Sequence, residues 1–129
     1  MADYIIALRD KGFVKGIKIN LKEHKSEAFE MHKKPYLLVE GFLIYAYESL
    51  GSLIDYKFYI DIPDEEILKR RKVRPLPPHV DESFMKIGMD EYRRYGSMQK
   101  YLSGVIVLDG MKDPEYLTNQ ILQYLQKHL

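Results

Sequence analysis

Apolar and polar residues along the 129-residue chain change their spacing from segment to segment, and each change marks an element. Ile5, Ile6, Ala7 and Leu8 stand ahead of Gly12, which predicts a short helix over 2–11 closed by the glycine. "GIKINL" (16–21) alternates apolar with polar positions and predicts a short, half-exposed strand. "KEHKSEAFEMHKK" is polar, with helical spacing around Ala28 and Met31, and predicts a surface lead-in. "PYLLVEGFLIY" (35–45) predicts a buried strand at 36–39 that stops at Glu40-Gly41, followed by a helix or turn through 43–55.

The second half repeats this grammar more clearly. "YKFYIDI" (56–62) predicts a strand ended by Pro63. Pro63 and Asp64 then open a helix whose acids, Glu65 and Glu66, favour its positive end and whose basic residues lie towards its C-terminus. "PLPP" (75–78) stops that helix, another is predicted over 81–101, and "GVIVLD" (104–109) reads as a third buried strand. "DPEYLTNQILQYLQKHL" closes the chain as an amphipathic helix with apolar positions Leu117, Ile121, Leu122 and Leu125. Three apolar strands separated by helical stretches predict an α/β fold with a parallel sheet. Functional groups in such sheets collect beyond the carboxyl ends of the strands, so Glu40-Gly41 and Asp109-Gly110 are expected on one rim.

Composition narrows the classes. Twenty basic residues against 19 acidic ones give no field that would favour nucleic acid or an anionic membrane. The absence of cysteine excludes disulfides, thiolate zinc sites and a cysteine nucleophile. His24, His32, His79 and His128 lack metal-ligand spacing. The apolar runs are too short to span a bilayer and "MADYIIALRDKG" lacks the plan of a signal peptide, so a cytoplasmic protein is expected.

Three places could carry chemistry. A carboxylate among apolar neighbours is costly to bury without a partner. Glu40 could orient a magnesium ion near transferring phosphates, with Gly41 allowing a tight turn; a plain helix cap or turn acid is the alternative. "KRRKVR" places Arg70 and Arg74 on one helix face with Arg71 beside them. Arginine forks match phosphate oxygens, so this reads as a lid over a nucleotide, or else as a solvated helix end or a small basic patch for nucleic acid. "LDGMKD" (108–113) ends a strand in a turn from which Lys112 reaches a ligand or water.

Taken together and in this order, "LLVEGFLIYAYESL", "LIDYKFYIDIPDEEILKRRKVR", "PP" and "VIVLDGMKDPEYL" resemble the C-terminal two-thirds of nicotinamide riboside kinases, within the uridine kinase-like P-loop kinases. The resemblance covers about residues 36–125. It implies a P-loop kinase-like parallel sheet and ATP-dependent γ-phosphoryl transfer to a ribosyl 5′-hydroxyl, with ATP and magnesium as cofactors. Glu40 resembles the strand-end acid on the magnesium side and, with Arg71, a catalytic position. Arg70 and Arg74 resemble lid contacts to ATP, and Arg71 also resembles a residue facing the substrate. Lys112, Asp113 and Pro114 resemble the loop that touches adenine. No residue is assigned as a metal ligand.

The chain also departs from the family pattern. Arg74-Pro75-Leu76 replaces Arg-x-Tyr at the lid end, so the substrate position falls on Leu76. "VDESFMKIGMDEY" replaces a segment that carries tryptophan in the family. No G-x-x-x-x-G-K-[ST] loop occurs in the sequence. The expectation is therefore a single incomplete nucleoside kinase-like domain over 1–129, with a lid at about 63–80, lacking the P-loop strand and the strand that follows it. It is expected to be inactive alone. In the family sheet the P-loop strand separates the strand at 36–39 from that at 56–62, so unpaired edges result. A missing N-terminal half or a strand-swapped homodimer would fill them. A stand-alone, non-catalytic module that binds a nucleotide or a protein is the alternative.

Overall fold

The computed structural model describes residues 1–20, 25–73 and 87–129. They fall into two units, Met1–Ile54 and Asp55–Leu129. The expectations for "PLPP", Arg74, Leu76 and the first residues of the predicted 81–101 helix lie outside the described residues.

In the first unit, α1 (Ala2–Lys11) ends as its sequence predicts. Gly12 takes φ +80°, a left-handed conformation suited to glycine, and its N–H bonds the Leu8 carbonyl at 3.2 Å. Two antiparallel strands follow, β1 (Phe13–Asn20) and β2 (Lys25–His32), in register from Phe13↔His32 to Asn20↔Lys25. The 25–32 segment is thus a strand rather than a helical lead-in. Its alternation of Glu27, Phe29 and Met31 with Ser26, Ala28 and Glu30 fits a pleat, and Lys15–Glu30 and Lys18–Glu27 form cross-strand ion pairs at 3.0 and 2.9 Å. Tyr4 of α1 meets Phe29 of β2 edge to face, while Leu8 and Val14 are buried.

The expected buried strand at 36–39 does not form. Residues 36–40 have no regular structure, and Leu38 is 93% exposed. A strand apolar on both faces needs hydrogen-bonded neighbours and cover on each side. The sheet of this unit consists of β1 and β2 alone among the described residues, so the segment has no ladder to join. The chain continues through a 3₁₀ turn, Ile44–Ala46, into the single turn α2 (Glu48–Gly51).

The second unit follows the sequence closely. β3 (Lys57–Asp61) leads into α3 (Asp64–Lys72), with Pro63 at its cap and Asp64, Glu65 and Glu66 in its first turn. In the described residues a helical run is π-helical at 87–88, α-helical in α4 (Met89–Glu91) and π-helical again over Tyr92–Gly96, and ends as a 3₁₀ stretch, Ser97–Tyr101. β4 (Val105–Asp109) pairs parallel with β3, from Lys57↔Val105 to Asp61↔Asp109. α5 (Pro114–His128) closes the chain.

Strand alternation separates the two helical layers. Phe58 meets Tyr124 of α5 edge to face at 5.7 Å, and the Tyr56 hydroxyl donates to the His128 carbonyl at 2.8 Å. The intervening residues Tyr59 and Asp61 instead meet Tyr92 and Lys100 of the helical run. On α5, Leu117 is buried and Ile121 and Leu125 are half-buried as predicted. Leu122 is exposed, and Tyr124 fills the inward position beside Phe58. No described helix is long and apolar enough to cross a membrane.

Candidate functional site

The parallel pair sets the site. Because β3 and β4 run together with Asp61 opposite Asp109, both end in a carboxylate on the same rim. Beside them lies a cleft of about 540 Å³ lined by Asp61, Asp64, Tyr92, Ser97, Lys100 and Asp109, among others. Lys100 Nζ stands 2.8 Å from Asp61 Oδ2, with the two side chains only 22% and 33% exposed. The hydrogen bond to Asp61 holds the Lys100 ammonium above its ordinary range, against a smaller opposing effect of burial.

Two further contacts fix the wall of this cleft. Asp64, the first residue of α3, accepts from Arg93 Nε at 2.8 Å, and Arg93 Nη1 also reaches Asp90 at 3.3 Å. The Asp64 hydrogen bond raises the Arg93 guanidinium further. Deeper in the unit, the Tyr59 and Tyr92 hydroxyls share a 3.0 Å hydrogen bond. Burial pushes the Tyr59 phenol well above its ordinary value of 10, and the bond to Tyr92 adds to this.

The basic helix end stands beside the loop after β4. Arg70 Nε donates to Glu66 Oε1 at 2.7 Å, one turn earlier on α3, and Arg70 Nη2 donates to the Gly110 carbonyl at 3.1 Å. The Arg70 hydrogen bond holds the Glu66 carboxyl below its ordinary range, with burial opposing it and Lys69 reinforcing it. Gly110 is wedged against β3. Its N–H bonds the Asp61 carbonyl at 2.8 Å, and a Cβ built there would lie 2.7 Å from Ile60 Cγ2 and 3.0 Å from that same carbonyl oxygen.

Of the sequence-predicted residues, Arg70 and the 112–114 loop are brought together through Gly110. Lys112 is exposed, with Nζ 3.9 Å from Asp109 Oδ2. Asp113 caps α5, its Oδ1 accepting from the Glu115 N–H at 2.8 Å, and Pro114 is the first helical residue. Arg71 is half-buried on α3. Arg74 and Leu76 lie outside the described residues.

Glu40 requires correction. It is exposed on the irregular segment of the Met1–Ile54 unit and ends no strand. The carboxylates that share a rim are Asp61 and Asp109. The position of Asp61 near the end of "YKFYIDI" is the sequence signal that could have marked it; Lys100, Tyr92 and Arg93 carry no motif, because only the packing of the helical run on β3 and α3 brings them in.

This geometry defines a class first: an α/β unit with a polar rim at the carboxyl ends of a parallel pair, flanked by a basic helix. Sequence relatives then place the chain more closely. It is 37% identical over 97 residues to nicotinamide riboside kinase 2 of Mus musculus, covering 72% of this chain and 49% of that protein. Nicotinamide riboside kinase 2 of Homo sapiens is 34% identical over 107 residues, covering 80% and 44%, and a uridine kinase of Borrelia hermsii is 28% identical over 111 residues, covering 80% and 54%. No protein-family model matches the chain. Over most of its length the chain is thus related to the nicotinamide riboside kinase and uridine kinase group, and it spans about half the length of the curated relatives it matches.

Kinases of this group imply ATP and magnesium for the full-length proteins. The exposed Lys112 ammonium and the basic residues at the end of α3 are donors of the kind that meet phosphate oxygens. Among the described residues, no three of His, Cys, Asp and Glu converge to hold a metal ion.

Proposed function

We propose that this chain carries the lid stem and base-contacting loop of an ATP-dependent nucleoside kinase, one that phosphorylates the 5′-hydroxyl of nicotinamide riboside or a similar nucleoside. In this reading Arg71 serves the phosphate-accepting end of the substrate, Arg74 serves ATP, Lys112, Asp113 and Pro114 serve the base, and Leu76 takes the substrate position that the family resemblance gives it. Glu40 keeps a role beside magnesium only where added strands complete the sheet at 36–40. The observation that supports this reading is the Arg70–Gly110 bond at 3.1 Å, which joins the basic helix to the loop that the family resemblance implies for adenine.

Phosphoryl transfer of this kind needs a phosphate-cradling loop and a positioned nucleophile. The sequence contains no G-x-x-x-x-G-K-[ST] loop. The isolated chain therefore shows no ATP-dependent phosphorylation of nicotinamide riboside or uridine. Turnover that disappears in Arg71→Ala would overturn this proposal.

A second reading draws support from the sheet. Each strand of the β3–β4 pair is bonded on one edge only among the described residues. A non-catalytic nucleotide- or protein-binding module that dimerises through such an edge would show a concentration-dependent dimer mass in solution. A strict monomer counts against it.

A further inference from the structure

The geometry points to Arg70 as a positioning residue: it holds the loop 110–113 in place rather than binding phosphate itself. Its guanidinium is already committed in two directions, Nε to Glu66 at 2.7 Å and Nη2 to the Gly110 carbonyl at 3.1 Å. The second contact spans forty positions of sequence, from the lid helix to the end of β4. A guanidinium can do this because its donors form a rigid, planar fork; a lysine ammonium has no such geometry.

The loop itself is assembled from short bonds that this fork completes. The Gly110 N–H is held by the Asp61 carbonyl at 2.8 Å, the Met111 N–H by Asp109 Oδ1 at 3.0 Å, and the Lys112 N–H by the Asp109 carbonyl at 3.0 Å. Asp113 then fixes the start of α5. The Gly110 carbonyl in turn accepts from Arg70 Nη2. Glu66, with a side chain only 16% exposed, orients Arg70 from one helical turn away. Glu66, Arg70 and Gly110 thus form a strut between the lid helix and the base-contacting loop. The consequence for base selectivity rests on the function proposed above; the strut itself does not.

Hydrogen exchange on the full chain tests it. In Arg70→Ala and Arg70→Lys, the amides of residues 110–112 exchange about tenfold faster while those of β4 residues 105–108 stay unchanged. Glu66→Gln keeps an acceptor for Arg70 and leaves the loop close to wild type, whereas Glu66→Ala loosens it. Lys72→Ala, at an exposed position of the same helix, serves as the control. Unchanged loop exchange in Arg70→Ala overturns the strut. Calorimetry with ATP and with inorganic tripolyphosphate adds a readout that general destabilisation does not move. A positioning role predicts that Arg70→Ala weakens ATP about tenfold and leaves tripolyphosphate unaffected. Equal weakening of both makes Arg70 a phosphate ligand and also overturns the inference. Should the wild-type chain bind neither probe, the proposed function fails, and the exchange data still decide the strut.

Discussion

Replacing Lys100 by methionine tests whether the rim of the parallel pair is held by one partly dry ion pair. Lys100→Met keeps most of the aliphatic bulk and removes the charge that stands 2.8 Å from Asp61. A charge-assisted hydrogen bond contributes ~1.5–3 kcal/mol. With the two side chains 22% and 33% exposed, water takes back part of that, leaving about 1–2 kcal/mol. For a cooperative unit the size of Asp55–Leu129, this corresponds to a fall of about 5–15 °C in Tm. Thermal unfolding of wild type, Asp61→Asn, Lys100→Met and the double variant, followed by circular dichroism, closes a double-mutant cycle with a coupling of about 1 kcal/mol. Lys100 has its folded pKa raised, so its stabilisation is complete below the ordinary value of 10.5 and is lost as the pH rises through the higher folded value. The gap between wild type and Lys100→Met therefore narrows in strong alkali. A coupling below ~0.3 kcal/mol at neutral pH would refute the argument.

Two other expectations follow from single side chains. Asp113→Ala removes the cap of α5 and costs about 1 kcal/mol, read as a lower denaturant midpoint at unchanged slope. Tyr59, raised above 10 by burial and by its bond to Tyr92, ionises later than the exposed tyrosines. Ultraviolet titration shows a late phenolate step that Tyr59→Phe abolishes, and because the folded pKa is raised, stability declines as the pH climbs past 10. A single uniform tyrosine transition would contradict the burial of that hydroxyl.

The second unit was legible because its signals are local and agree with one another. Pro63 with three acids starts α3, Asp113 with Pro114 starts α5, and the apolar runs of β3 and β4 pair as a parallel sheet requires. The first unit misled where local pattern and pairing diverge. Ala28 and Met31 stand at helical spacing, yet β1 offers a partner strand, and cross-strand charge pairs select the pleat. At 36–39 the reverse holds: the residues suit a buried strand, but no described neighbour offers a ladder. The site divides the same way. Arg70 and the 110–114 loop carry sequence signals, whereas Lys100, Tyr92 and Arg93 act through contacts that span about thirty to forty positions.

The measurement that bears most directly on the whole account is nuclear magnetic resonance of the labelled chain titrated with ATP. Shifts are expected to concentrate at the amides of residues 110–113 and at Arg71, with the hairpin β1–β2 unmoved. No shifts, or shifts gathered elsewhere, would contradict the assignment of this chain to the nucleotide-contacting part of a nucleoside kinase.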